Sequence, residues 1–267
     1  MKKFLVVGNP IDHSLSPALH NYWIKSNAID AIYEKQKLNE DELEQLILQV
    51  KEKKINGINV TVPFKKTIIP FLDELSIEAE STQSVNTIYL KNDKVVGHNT
   101  DIIGFETSIE KSKFNVFNKE VLILGAGGVV PSIIFALNKM KVSKIKISNR
   151  TKEKAENLKK LFKNIEIIEW GEVPNFDVII NATSLGLKDG KEFDFDFDKC
   201  KVNSIYIDTI YNPLKTKTFK FLEDKGVKVF NGLDMFIYQA QKSFYLWNKI
   251  NPEIDDELIN LLMSKLK

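Results

Sequence analysis

Arg150 is the only arginine in a chain that carries 38 lysines and arginines, so every other fixed positive side chain is a lysine. A guanidinium in so lysine-rich a sequence points to a task an ammonium cannot do, the bidentate pairing of a planar fork with phosphate. It ends the β-branched run K-I-K-I-S-N-R-T, Lys144 to Thr151. Upstream, G-A-G-G from Gly125 to Gly128 directly follows the apolar run V-L-I-L, Val121 to Leu124. Strand, glycine turn, helix and strand, then a base where an acid would accept a ribose 2′-hydroxyl, is the order expected of a dinucleotide fold that reads a 2′-phosphate. The competing reading, a surface arginine with no role, leaves the glycine turn at the matching distance unexplained.

Two more segments carry groups suited to small-molecule chemistry. In G-N-P-I-D-H-S-L-S-P-A-L-H-N, Ser14 and Ser16 straddle Leu15, and Pro17 is placed to open a helix. The free N–H groups of a helix start attract an anion, and two hydroxyls there suit a carboxylate. A Ser16 that only caps the helix is an equally good reading. In I-N-G-I-N-V-T-V-P-F-K, a strand ends in Asn59, Thr61 and Lys65, with Pro63 fixing the turn. Strand ends of this kind point polar groups into the crevice where α/β ligands bind. Lys65 is followed by Lys66, and either also reads as a solvated surface charge. S-V-N-T and V-G-H-N-T-D-I-I-G come next, and Asp101 stands at a strand-to-helix junction where it also reads as an N-cap.

The elements that must position these groups alternate. Phe4–Val7 reads as a strand, then a helix from about Pro17, a strand Ala31–Leu38, an amphipathic helix Glu40–Lys54 and a strand Ile55–Val60. Thr87–Leu90 and Val95–His98 flank Asn92-Asp93 and read as a hairpin. A second series starts at Val121 and runs through Lys144–Ser148, Val178–Asn181 and Ile205–Asp208 to Val227–Phe230. Two helices without an intervening strand close the chain, about Leu233–Ile250 and Asp255–Leu266, and are expected to return to the first domain. The expected fold is α/β in two domains: residues 1–101 with a mainly parallel mixed sheet, residues 102–231 of Rossmann type, and residues 232–267 packing back on the first. The domain boundary is expected in a helix near Asp101–Lys113. Glu192–Asp198, E-F-D-F-D-F-D, suits an edge strand or ordered loop with one apolar face.

Composition narrows the function classes. A length of 267 residues supports two cores, and a net charge of +2 with interleaved signs gives no field for nucleic acid. Cys200 stands alone, which excludes an intrachain disulfide and fits a reducing cytosol. His13, His20 and His98 lack metal-ligand spacing, so no metal site is expected. F-L-V-V is too short for a signal-peptide core, and no run approaches the roughly 20 apolar residues of a membrane span. A cytoplasmic protein without a membrane or nucleic-acid partner, monomeric or homodimeric, is expected.

Taken in order, nine stretches resemble shikimate dehydrogenases over essentially the whole chain. They are S-L-S at 14–16, N-V-T-V-P-F-K at 59–65, V-N-T at 85–87, N-T-D at 99–101, G-A-G-G at 125–128, N-R-T at 149–151, N-A-T-S-L-G at 181–186, Y-N-P at 211–213 and G-L-D-M-F-I-Y-Q at 232–239. The resemblance implies reversible NADP-dependent reduction of 3-dehydroshikimate to shikimate. It implies that Lys65 and Asp101 form the catalytic pair and that Ser14, Ser16 and Tyr211 hold the substrate carboxylate. Thr61, Asn86, Asp101 and Gln239 would take its hydroxyls. Gly125, Ala126, Gly127, Gly128, Val129, Asn149, Arg150 and Thr151 would bind NADP, with Thr183 and Gly232 near the nicotinamide. The chain departs from the family at Val130 and Pro131 after the glycine turn, at Leu187 where methionine is common, and at Phe236 where an aliphatic residue is usual. The alternatives are a relative that accepts quinate or NAD, and a non-catalytic sensor of shikimate-type ligands. The presence of both Lys65 and Asp101 weighs against the sensor.

Overall fold

A computed structural model describes residues 1–187, 193, 195–197 and 203–266. The chain divides into two compact units: Met1–Gly104 with Ile237–Lys265, and Phe105–Phe236. The first unit opens with β1 (Lys2–Gly8), α1 (Ser16–Ser26), β2 (Ala31–Lys37), α2 (Leu43–Lys51) and β3 (Gly57–Val60). It continues with β4 (Glu74–Leu75), α3 (Ile77–Thr82), β5 (Thr87–Lys91) and β6 (Lys94–His98). α4 (Asp101–Lys111) follows, and the division between the units falls inside it.

The first sheet has the order β2-β1-β3-β5-β6-β4. β1 runs parallel to β2 and β3, and β5 is antiparallel to β3 and β6. Asn92 and Asp93, at φ 51° and 59°, supply the left-handed pair that a two-residue hairpin turn requires. The expected helix Glu40–Lys54 is shorter: a 3-10 turn at Glu40–Glu42 precedes α2, and Lys53 at φ 61° ends it. The strand expected from Ile55 likewise begins at Gly57.

The second unit is built from β7 (Glu120–Leu124), α5 (Val130–Lys139), β8 (Lys144–Ser148), α6 (Lys152–Leu161), β9 (Ile165–Ile168), β10 (Val178–Asn181), β11 (Ile205–Asp208), α7 (Lys217–Asp224) and β12 (Lys228–Phe230). α8 (Leu233–Asn248) starts in this unit, and α9 (Asp256–Lys265) belongs to the first. The all-parallel order β12-β11-β10-β7-β8-β9 is that of a doubly wound dinucleotide fold, with its switch point between β7 and β10. Val121, Leu122, Ile123 and Leu124 are fully buried because a central parallel strand is covered on both faces, which is why the run does not alternate. β9 is a short edge strand whose half-exposed pattern gave no signal strong enough to foresee it.

Glu192, Asp194, Asp198 and Cys200 lie outside the described residues. No described residue of the acid/phenylalanine segment lies in a strand, yet Phe193, Phe195 and Phe197 meet in one cluster. They join the core around Leu122, Ile179 and Tyr206. Among the described residues no helix is long and apolar enough to cross a membrane.

Candidate active site

In the first unit, loops that follow β1 and β3 carry the serines, Thr61 and Lys65. They adjoin because the strands pair, and the Asn9 N–H donates to the Val62 carbonyl at 3.0 Å. Ser16 is the first residue of α1, not its cap: the cap position is Leu15, with no side-chain bond. Ser14 Oγ accepts instead from the Ser16 N–H at 3.3 Å. Pro17 follows at the opening of the helix, where its missing N–H costs nothing. The Ser16 side chain, itself buried, contacts the Tyr33 hydroxyl.

Lys65 Nζ donates to Asp101 Oδ2 at 2.5 Å, with the two side chains 14% and 8% exposed. Asn86 Nδ2 donates to the other carboxylate oxygen at 2.8 Å and reaches Gln239 Oε1 at 3.5 Å. Four of the expected site residues, from the loop after β3, the residue before β5, the start of α4 and the middle of α8, therefore meet. Asp101 is not a cap by side chain: its N–H is held by Asn99 Oδ1 at 3.1 Å, which leaves the carboxylate for Lys65 and Asn86.

Beneath this group lies a polar network that pattern reading missed. Ser243 Oγ bonds Thr87 Oγ1 at 2.7 Å and Thr100 Oγ1 at 3.1 Å, and it donates to the Gln239 carbonyl at 3.0 Å. Asn86 Oδ1 accepts from the Thr100 N–H at 2.7 Å. Asn59, expected to face a crevice, is saturated here: it accepts from the Tyr33 hydroxyl and donates toward Asn86 O, Thr87 Oγ1 and Ser243 Oγ. It ties the sheet to α8 and holds no group free for a ligand. Asn59, Thr87 and Ser243 lie inside β3, β5 and α8 and Thr100 just before α4, and nothing local in the sequence shows that they bond one another.

In the second unit, the expected nucleotide residues follow β7, β8 and β10 on the C-terminal edge of the sheet. The Gly125 N–H donates to the Ser148 carbonyl at 2.8 Å, and the Ala182 N–H to the Leu124 carbonyl at 2.8 Å. Gly125 has φ 109°, and a Cβ there would stand 2.7 Å from the Ala182 carbonyl oxygen, so no other residue fits the turn. A Cβ on Gly127 would meet the Ala182 carbonyl oxygen at 3.8 Å, an ordinary contact, so the turn is less tightly constrained there than at Gly125. α5 presents its N-terminus there, the arrangement that receives a pyrophosphate. Val130 is fully buried and Pro131 occupies the first turn, so neither departure disturbs the helix.

Asn149 Nδ2 donates to the Thr151 carbonyl at 2.7 Å, shaping the turn that exposes Arg150. Arg150 joins no ion pair among the described residues, and the exposed fork fits a 2′-phosphate. Thr183 is oriented by Asn181 Oδ1, which accepts from its N–H at 2.9 Å and its hydroxyl at 2.8 Å. The Tyr211 ring stacks on Phe236 at 4.6 Å, and burial pushes its phenol up to about 12, so it stays a donor. Gly232 donates its N–H to the Ile210 carbonyl at 3.0 Å.

Comparison with known proteins gives this arrangement a family. Residues 6–88 match the shikimate dehydrogenase substrate binding domain, and residues 108–187 match shikimate / quinate 5-dehydrogenase. A shikimate dehydrogenase (NADP(+)) of Pelagibacter ubique is 58% identical over 98% of both chains. The crystal structure of shikimate dehydrogenase from Aquifex aeolicus superposes with a TM-score of 0.90 at 36% identity, covering 99% of this chain and 97% of that one. Shikimate 5-dehydrogenase from Thermus thermophilus, in complex with NADP(H) and shikimate, gives a TM-score of 0.91 at 28% identity with both chains fully covered. With likeness of this degree along nearly its whole length, the chain belongs to the shikimate dehydrogenase family.

Proposed function

We propose that Lys65 and Asp101 carry the proton transfer of an NADP-dependent shikimate dehydrogenase that reversibly reduces 3-dehydroshikimate to shikimate. The observation behind this is the nearly buried contact of Lys65 Nζ with Asp101 Oδ2, braced by Asn86. NADPH supplies the hydride when bound. As the carbonyl carbon is reduced, Lys65 donates a proton to the oxygen and its charge stabilises the developing alkoxide; in the reverse direction it takes that proton back. Asp101 orients Lys65 and, with Asn86, Thr61 and Gln239, offers partners to the ring hydroxyls.

Ser14 and Ser16 take the substrate carboxylate, and Tyr211 is a further donor for it. The unit formed by residues 1–104 and 237–265 is the substrate domain, and residues 105–236 form the nucleotide domain. Gly125 to Val129 receive the pyrophosphate, Asn149 to Thr151 the 2′-phosphate, and Thr183 and Gly232 the nicotinamide end. The setting is the cytoplasm, with the protein a monomer or homodimer.

The test is oxidation of shikimate and of quinate with NADP⁺ and with NAD⁺ by the purified protein. Shikimate with NADP⁺ is expected to be the best of the four combinations. Faster turnover of quinate would reassign the substrate, and absence of turnover in all four would leave a binding protein.

A further inference from the structure

We propose that Asp208 is a positioning residue: its buried carboxylate fixes the shape of the loops after β10 and β11, and so the placement of Thr183 and Tyr211. The inference rests on the nucleotide reading above. Asp208 is 1% exposed and joins no ion pair among the described residues. Its charge is held by donors alone. Oδ1 accepts from Asn181 Nδ2 at 3.1 Å and the Ile210 N–H at 3.0 Å; Oδ2 accepts from the Tyr206 hydroxyl at 3.0 Å and the Thr216 hydroxyl at 2.9 Å.

A carboxylate can only accept, so its presence decides how its neighbours point. Asn181 must turn its Nδ2 toward Asp208, where that nitrogen also donates to the Leu185 carbonyl at 3.2 Å. The amide oxygen then necessarily faces Thr183 and takes both of its donors. Thr183 Oγ1 in turn accepts from the Leu185 N–H at 3.0 Å. On the other side, Thr216 caps α7 by accepting from the Phe219 N–H at 3.2 Å while donating to Asp208. Its methyl lies against Gly186, where an added Cβ would stand 2.8 Å away. One carboxylate thus anchors both ends of the 181–186 loop and the turn leading to Tyr211.

Burial pushes the Asp208 carboxyl up to about 6, opposed by those hydrogen bonds, which leaves it ionised at neutral pH. Burial also holds the Tyr206 phenol well above its ordinary value, so it remains a donor. Neither group touches the elements that carry Gly125 to Gly128 or Arg150 by any of these bonds. Loss of the carboxylate is therefore expected to loosen the nicotinamide end of the site and spare the adenosine end.

The experiment is calorimetric titration of wild type, Asp208→Ala and Asp208→Asn with NADP⁺ and with adenosine 2′,5′-bisphosphate, joined to amide hydrogen exchange. Asp208→Ala should weaken NADP⁺ about tenfold, as loss of a charge-assisted bond implies, with the bisphosphate changed less than about twofold. Exchange should quicken at 182–187 and 209–214 while β7 and β8 stay protected. Asp208→Asn should recover most of the affinity, because its amide nitrogen can donate to the two hydroxyls that face Oδ2. If Asp208→Ala does not fold, Thr216→Val, with Thr216→Ser as its control, should give the same split at smaller size. Unchanged NADP⁺ affinity with unchanged exchange, or equal loss of both ligands, would overturn the proposal. A wild type that fails to bind the bisphosphate would instead overturn the nucleotide reading, and the exchange data would still decide for or against Asp208 as the anchor of the loops.

Discussion

A lysine and an aspartate buried against each other contribute little net stability, since the cost of removing two charges from water largely offsets their attraction. The Lys65–Asp101 contact is instead suited to chemistry. Lys65→Ala should lower kcat by about 10²- to 10⁴-fold with KM for shikimate nearly unchanged. Asp101→Asn keeps the hydrogen-bonding shape and loses the charge, so kcat should fall and the pH–rate profile should move. A Lys65→Ala enzyme within a few-fold of wild type would remove Lys65 from the proton-transfer role.

His20 makes a different prediction at the same scale. It is 1% exposed, its ring lies parallel to Tyr33 at 4.2 Å, and neither ring nitrogen has a hydrogen-bond partner among the described residues. Burial holds its pKa down at about 3, from 6.5. The unfolded chain therefore takes up a proton below pH 6.5 that the folded chain refuses until about pH 3. Stability should fall as pH drops through that window, by about 1.4 kcal/mol per pH unit from this residue. His20→Phe should flatten the decline in urea midpoint between pH 6.5 and 4; parallel declines in the two proteins would exclude His20 as the source.

At the scale of elements, the proposed recognition roles fall on loops at strand ends. Ser14 and Ser16 sit at the opening of α1, where helix N–H groups favour an anion. Changing either to Ala should raise KM for shikimate by about tenfold or more while leaving NADP⁺ affinity alone. A shikimate methyl ester bound as tightly as the acid would show that no carboxylate is read there. At the end of β8, Arg150 is exposed and presented by a turn that Asn149 shapes. Arg150→Ala should cut kcat/KM for NADP⁺ and leave NAD⁺ nearly untouched, and Arg150→Lys should lie between, since it keeps the charge and loses the fork. Equal losses for both cofactors would sink this assignment.

For the molecule as a whole, the chain folds into two units that each enclose their own core, one around Leu5, Leu46 and Ile58 and one around Leu122, Ile179 and Tyr206. Units of this kind can open separately, and a ligand stabilises what it binds by about 2.7 kcal/mol at a hundredfold excess over Kd. Saturating NADP⁺ should slow amide exchange most in strands β7, β8, β10 and β11, with a smaller effect in β1, β3 and β5. Equal slowing across both sets would mean that the whole chain opens as one block.

Features that arise over short stretches of chain were legible before the fold was known. The buried run Val121–Leu124, the Gly125 turn, the Asn92-Asp93 hairpin and the main alternation of strands and helices, short elements such as β4, α3 and β9 apart, follow from periodicity and turn stereochemistry, which neighbouring residues settle. Charge and position marked Lys65, Asp101 and Arg150 as candidates, but a surface charge and a helix cap fitted Lys65 and Asp101 equally well, and their proposed role came from the family resemblance. Which polar residues face one another was left to the tertiary fold. Asn59 and Ser243 are 184 positions apart, Asn86 and Gln239 are 153, and the bonds between them exist because α8 returns to the first sheet. It placed Trp247 of that helix directly over Gly57, the indole N–H donating to the Ile88 carbonyl at 3.0 Å. It also turned Asn59 from a crevice residue into a saturated brace and made Asp208 a hub. Hydrogen bonds saturate within about 3 Å, whereas sequence patterns report only on which side of an element a residue lies; the partner is chosen by topology.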